Sequence, residues 1–437
     1  MPKLLLYGFV LNLLTLLLPG GANAQKSTPL VSTVDIDNFW LAYDKAMTTA
    51  DSGEQLQFIQ SLYIDKGTRG LKAFMSARNF DAARLTQLIR NYPRFWRSIR
   101  PRTLSLKQHT KEIETSISKL ETLYPALKPA TMYFAIGGLN SGGTTTGDMV
   151  LIGAEIASGN ASTDLSEFKD NWLKDVFRLH QANNIVSLNI HEYVHTQQIG
   201  EPDNLLGQAI KEGACDFITE LVMGKTLVNA YLEYGRKHES SLKTAFLDDM
   251  FTTAYARWMY NGSDAATVAD VGYYMGYAIC KSFYNTMGDK QRAVAEIIEL
   301  NYDDPLAVED FLEKSAFYNM PVDKKQLLAK AEKKRPVVLG LEPFKNGDMA
   351  VDPALRELTI RFSVPMNKQN YSISFTEKGK EYSPIVGIGG YTSDGTGFKL
   401  LIDLEPGRDY EFVITDRSFQ SADGYPLVPV TVRFRTR

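Results

Sequence analysis

Apolar residues three and four apart recur from Ser32 to about Leu127, in stretches such as Phe39-Trp40-Leu41-Ala42-Tyr43, Leu85 to Ile89 and Ile113 to Leu123, and this spacing predicts helices. Gly67, Gly70 and the group Asn91-Tyr92-Pro93 punctuate them. The pattern then changes. Met132-Tyr133-Phe134-Ala135-Ile136 and Met149-Val150-Leu151-Ile152-Gly153-Ala154-Glu155-Ile156 read as strands, with a loop rich in Gly, Thr and Ser from Gly137 to Gly147. Residues 131–156 are therefore expected to form a hairpin with a long loop. Helical periodicity returns through Phe168 to His180, Asn184 to Gln197, Leu205 to Met223, Ala266 to Tyr284 and Arg292 to Leu300, and ends near Lys334.

From Lys333-Lys334-Arg335-Pro336 onward the period is two. Alternating runs such as Leu358-Thr359-Ile360-Arg361-Phe362, Lys399 to Leu404, Tyr410 to Ile414 and Val430 to Phe434 are separated by Lys345-Asn346-Gly347-Asp348, Glu405-Pro406-Gly407 and Ala422-Asp423-Gly424. About seven strands in residues 336–437 predict a small β-sandwich. The fold class expected is α+β: a mostly helical part with a small β-sheet, followed by an all-β sandwich.

Composition places the chain among globular proteins, with 23% charged and 44% hydrophobic residues in 437, enough for two or three domains. A formal net charge of -3 offers no basic field for a phosphate backbone, so no nucleic-acid partner is expected. Lys3, an apolar stretch from Leu4 to Leu18, the breakers Pro19-Gly20-Gly21 and then Ala22-Asn23-Ala24 have the grammar of a secretory signal with an A-x-A cleavage site. That stretch is short of the roughly 18 residues needed to span a bilayer, and no later segment is apolar enough. The expected division is a signal peptide at 1–24, a helical domain at 25–335 and a β-sandwich at 336–437. The protein is expected to be exported, to the periplasm or the medium, with no transmembrane segment after the signal is removed. Two cysteines, Cys215 and Cys280, are too few for a disulfide-built scaffold and are read equally as one bridge or two buried thiols.

The chemistry concentrates in His191-Glu192-Tyr193-Val194-His195. Helical residues four apart share a face, so both imidazoles can reach one Zn²⁺ while Glu192, one position round, reaches a water beside it. A chain with 5 histidines would produce this HExxH pattern by chance only about 0.003 times. A catalytic zinc needs a third protein ligand and an open position. Glu212 is offered for that role, on the helical segment Leu205 to Met223, with Asp216 four residues on and able to hold the far nitrogen of a zinc histidine.

HExxH followed by Glu212-x-x-x-Asp216 on a second helix resembles the gluzincin metallopeptidases. A metzincin would need a third His where Gly200, Glu201 and Pro202 stand. Tyr273-Tyr274-Met275-Gly276 resembles the Tyr-Glu-Lys-Gly segment of gluzincin aminopeptidases, whose tyrosine hydroxyl stabilises the oxyanion; the resemblance implies this role for Tyr273, with Tyr274 and Tyr277 as alternatives. Gly153-Ala154-Glu155 resembles part of their edge strand and implies that Glu155 binds a substrate amine, although the flanking Met and Asn are missing. Over residues 36–284 the chain is similar to uncharacterised predicted zinc-dependent proteases of bacterial cell envelopes, which usually carry Ala where Cys215 stands. Phe362-Ser363-Val364-Pro365-Met366-Asn367 resembles the Phe-Ser-x-Pro-Met stretch of bacterial Ig-like domains.

These resemblances imply a zincin-like catalytic domain carrying an Ig-like sandwich that would engage a surface or protein partner. His191, His195 and Glu212 would hold Zn²⁺, Asp216 would orient a ligand, Glu192 would act as general base and Tyr273 would stabilise the oxyanion. The backbone from Met149 to Glu155 would pair with an extended peptide or protein substrate. Two alternatives remain: a catalytically idle zinc domain in an envelope protein that works by binding, and a zinc hydrolase of non-peptide amides or esters.

Overall fold

The computed structural model describes residues 30–169, 172–179, 185–262 and 268–437, so the leader expected at 1–24 lies outside the described residues, as do His180, Asn184 and Ala266 at the ends of three helical stretches. A two-residue strand β1 (Val31–Ser32) precedes helices α1 (Val34–Ala46), α2 (Ser52–Ile59), α3 (Arg69–Arg78), α4 (Ala82–Asn91), α5 (Pro93–Ser105) and α6 (Thr110–Leu123). Side chains fix their starts: Asp51, Thr68 and Asp81 accept the backbone N–H of Glu54, Leu71 and Arg84. Their apolar faces close on an aromatic cluster. In it Phe39 meets Trp40, Tyr63 and Trp96 at ring-centroid distances of 5.0, 5.3 and 5.2 Å, and each such pair adds roughly 0.5–1.5 kcal/mol beyond area burial.

Strands β2 (Thr131–Ala135), β3 (Gly143–Thr146) and β4 (Met149–Gly153) join β1 in a sheet of order β1-β2-β4-β3. This corrects the hairpin expected at 131–156. β2 and β4 run parallel, and the antiparallel partner of β4 is β3, formed by residues whose Gly and Thr content reads as loop. β4 is flanked on both sides, so the edges of the sheet are β1 and β3, of which β3 lines the groove described below.

Two short helices, α7 (Ala154–Ala157) and α8 (Trp172–Leu179), lead to the layer that carries the site: α9 (Ile185–His195), α10 (Leu205–Met223), α11 (Ala230–Asp249) and α12 (Val271–Thr286). Asn204 caps α10 by accepting from Gly207 N, and Gly224 ends it in the left-handed region at φ 62°. α10 and α12 cross in backbone contact. A Cβ on Gly276 would fall 1.6 Å from Ala209 O and one on Gly213 would fall 2.0 Å from Tyr277 N, so only glycine permits this approach. Helices α13 (Lys290–Ile298), α14 (Pro305–Lys314) and α15 (Lys324–Glu332) complete the helical part.

The remaining strands, β5 (Val338–Glu342), β6 (Glu357–Phe362), β7 (Ile373–Ser374), β8 (Ile385–Tyr391), β9 (Gly397–Ile402), β10 (Asp409–Ile414) and β11 (Val430–Arg435), form a four-stranded sheet of order β5-β6-β9-β8 and a three-stranded sheet of order β11-β10-β7. Their period-two residues, including Leu358, Ile360, Phe398, Leu400, Phe412, Ile414 and Val432, bury one core between them. This core is separate from the one holding the helices and the first sheet. Helices with one small sheet thus make up the N-terminal part and strands the C-terminal part.

Candidate metal centre

α9 buries Val186, Asn189, Ile190, Tyr193 and Val194 and turns His191 and His195 to its half-buried side. The hydroxyl of Tyr193 accepts from Ala130 N at 3.0 Å and donates to Ala130 O at 3.2 Å, which ties the helix to the chain entering β2. α10 crosses beside it and brings Glu212 opposite both imidazoles. His191 Nε2 lies 3.4 Å and His195 Nε2 3.3 Å from Glu212 Oε2. A tetrahedral ion with bonds of about 2.0–2.1 Å separates its ligand atoms by about 3.3–3.4 Å, so each imidazole nitrogen stands from Glu212 Oε2 at the spacing of two donors to one Zn²⁺.

The far nitrogens are also committed. His191 Nδ1 is 2.9 Å from Asp216 Oδ1, and His195 Nδ1 is 2.7 Å from Gln198 Oε1. Gln198 donates its Nε2 to Lys211 O at 2.7 Å, so its amide oxygen must face the ring. Each imidazole therefore donates from Nδ1 and presents a lone pair at Nε2, the arrangement a metal requires. Burial opposes ionisation of Glu212, but the two imidazoles bond to it when their Nε2 atoms are protonated, which outweighs that cost and holds the carboxyl well below its usual range. Burial likewise disfavours a charged His191, yet Asp216 and Glu212 raise its pKa well above the ordinary value. Asp216 and Glu212 thus give the pocket a negative field that favours a bound positive charge. A divalent cation fits that demand, so the donor set and its electrostatics both suit Zn²⁺.

Cys215 stands close by, and its Sγ, His191 and His195 offer ligand atoms within 4.8 Å of one another. Its sulfur, however, sits 3.4 Å from His195 Nδ1, the side already held by Gln198, and donates to Lys211 O. Burial pushes this thiol well above its ordinary pKa, which opposes the thiolate a metal would need. Glu212 is the better third donor because its oxygen shares the face of both Nε2 atoms. Both cysteines are free and buried, which resolves the alternative of a bridge.

The other expected residues divide. Glu192 lines the same groove, about 640 Å³ in volume, as do Tyr273 and the strand from Gly143 to Thr146. A Cβ on Gly143 would lie 3.0 Å from Glu192 Cδ, so glycine on β3 makes room for that carboxylate. Tyr273 lies nearly parallel to His191, centroids 6.3 Å apart, and its hydroxyl bonds to no described residue. Tyr274 and Tyr277 point elsewhere, donating to Glu239 and to Glu220 (2.6 Å) respectively.

Glu155 is a correction. It lies in the first turn of α7 rather than on an edge strand, is fully buried, and accepts backbone N–H bonds from Gly137 and Leu139 at 2.9 Å. A carboxylate already bonded inside the core cannot receive a substrate amine, and it does not line the groove. The edge available to an extended ligand is β3, not Met149 to Glu155. Two polar residues escaped the sequence reading. Gln198 follows α9 in a turn, and Tyr260, in an irregular segment, places its hydroxyl 3.4 Å from Glu212 Oε1. Neither carries a periodic signal.

No curated protein matches the chain. Among solved structures, CopC from Methylosinus trichosporium OB3b aligns over 23% of this chain and 93% of its own at 18% identity and TM-score 0.19. The N-terminal part of the bacterial S-layer protein SbsC aligns over 61% of this chain and 62% of its own, less than two thirds of that length, at 15% identity and TM-score 0.18. Scores this low carry no conclusion about fold. Residues 173–305 match a family model described as "Predicted Zn-dependent protease (DUF2268)", a span that contains His191, Glu192, His195, Glu212, Asp216 and Tyr273 and supports a zinc protease.

Proposed function

We propose that the chain is an exported zinc-dependent metallopeptidase of the gluzincin kind that cuts peptide bonds within an open groove. The observation that carries this reading is the meeting of His191 Nε2, His195 Nε2 and Glu212 Oε2 at 3.3–3.4 Å, with both far nitrogens taken. These three would hold Zn²⁺. When bound, the ion supplies Lewis acidity that polarises a carbonyl and acidifies water. Asp216 and Gln198 keep the imidazoles in the ligating tautomer.

Glu192 takes the proton of the attacking water and returns it to the leaving amine, a role for which its place one residue round from His191 is suited. Tyr273 donates its hydroxyl, which bonds to no described residue, to the oxyanion that forms on the substrate carbonyl. The free edge of β3 pairs with the backbone of an extended peptide and lays it across the groove. With Glu155 buried, no carboxylate on the first sheet's edge is available to hold a free amino terminus, which favours internal cleavage over trimming.

We take residues 25–335 and 336–437 as two domains, the second an Ig-like sandwich engaging a surface or partner, because each part has its own core. No described helix is long and apolar enough to cross a membrane. The test is hydrolysis of a diverse peptide library by zinc-loaded protein and by Glu192→Gln. Cleavage by the wild type alone, equal for free and N-acetylated versions of one substrate, is the expected result. Strict dependence on the free amine would overturn the internal-cleavage reading, and equal activity of both proteins would overturn the mechanism.

A further inference from the structure

The β-rich part reaches the helical part through Tyr425, which is buried. Its hydroxyl donates to Asp249 Oδ1 and accepts from Lys334 Nζ at 2.7 Å. Asp249 ends α11 and is fully buried, and its other oxygen accepts from Arg257 Nη1 at 2.9 Å and Trp258 Nε1 at 3.0 Å. Next to Tyr425, Gly424 lies so close to Ala256 that an added Cβ would be 2.9 Å from the alanine Cβ. The segment from Tyr255 to Trp258 is thus clamped between the two parts.

Trp258 leads from this clamp to the groove by two routes. Its carbonyl accepts from Gly272 N at 2.7 Å, which pins the first turn of α12, where Tyr273 begins to face the site. Two residues on, Tyr260 takes a left-handed backbone, φ 57°, and donates its N–H to Asp270 Oδ1 at 2.6 Å. A tyrosine keeps that strained conformation only where its surroundings determine it. Its hydroxyl accepts from Gln208 Nε2 at 2.6 Å and donates to Glu212 Oε1 at 3.4 Å, while Gln208 Nε2 also lies 3.3 Å from Oε1. Both contacts fall on the oxygen that faces away from the imidazoles.

We propose that Tyr260 is a positioning residue that turns Glu212 Oε2 toward the metal, and that the β-rich part holds Tyr260 in place through Tyr425, Asp249 and Trp258. The C-terminal part is then a component of the metal site as well as an appendage to it. This rests on the zinc reading above.

The experiment measures the rate at which the full, zinc-loaded chain surrenders its metal to a chelator, a readout independent of peptide cleavage. Tyr260→Phe should speed release about tenfold, as loss of a contact behind a ligand does. Tyr425→Phe should speed it in the same direction, and the double variant should release no faster than Tyr260→Phe alone, because both act through one path. Tyr391→Phe is the control: it loses a comparable hydroxyl bond, to Asn370 O at 2.6 Å, elsewhere in the β-rich part, and should release at the wild-type rate. Wild-type release from Tyr425→Phe, multiplied effects in the double variant, or an equal effect of Tyr391→Phe would overturn the proposal while leaving the zinc site standing. A wild-type chain that holds no zinc would overturn both.

Discussion

On one side of the groove, α9 and α10 hold His191, His195, Glu212 and Asp216 in mutual contact; on the other, Gly143, Tyr260 and Tyr273 arrive from a sheet edge, an irregular segment and a third helix. The first side is fixed locally. Four-residue spacing on each helix sets which groups face out, and a single crossing brings the two faces together. The second side depends on contacts between distant parts of the chain, from β3 beside α9 to Asp249 under Trp258. Changes on the helical side should therefore abolish or cripple chemistry, while changes reaching the site through the rest of the fold should tune it.

The largest effect on rate is expected at Glu192. Glu192→Gln keeps the shape but removes the proton acceptor, and kcat/KM should fall by about 10²–10⁴-fold with zinc still bound. Steady-state kinetics on one good peptide checks this, and a fall below about fivefold would assign the proton transfer to another group.

That contrast also explains what the sequence disclosed. His191, His195, Glu212 and Asp216 were legible because helical spacing is a local property and their residue types are rare in that arrangement. Gln198 was not, since it sits in the turn after α9, where no periodicity marks it. Tyr260 was hidden for the same reason. The parallel pairing of β2 with β4 carries no mark in the sequence, because parallel and antiparallel partners differ in long-range topology, not in composition. Gly143-Thr144-Thr145-Thr146 looked like loop for its glycine and hydroxyl content, yet threonine packs well on a pleated edge. Glu155 misled because its position after a strand says nothing about burial, and the N–H groups that bind it come from a neighbouring turn.

A smaller effect is expected at Gln198. Removing its amide in Gln198→Ala leaves His195 Nδ1 without its acceptor, and zinc affinity should fall by about 10–100-fold. Competition against a chelator of known affinity measures it. Unchanged affinity would mean that His195 is oriented by packing alone.

The smallest effect lies away from the groove, at Glu155. Burial pushes this carboxyl up to about 6 from an ordinary 4.5, against the hydrogen bonds from Leu139 and Gly137 that lower it. Because the folded pKa is the higher, the protonated acid favours the folded state. Its stabilising contribution is complete below the unfolded value and is lost as pH rises through about 6. The difference is worth about 2 kcal/mol. Glu155→Gln should remove that slope, so denaturant unfolding at pH 4 and pH 7 should show the wild type losing about 2 kcal/mol more than the variant. Parallel profiles for the two proteins would contradict the assignment.

The central claim, that two helices converge on one metal, is tested most directly by counting zinc. Elemental analysis of purified full chain should find close to one zinc per chain in the wild type and in Glu192→Gln, and little in Glu212→Ala or His195→Ala, each compared after confirming a folded circular-dichroism spectrum. Full occupancy in folded Glu212→Ala would remove that residue from the site and contradict the account.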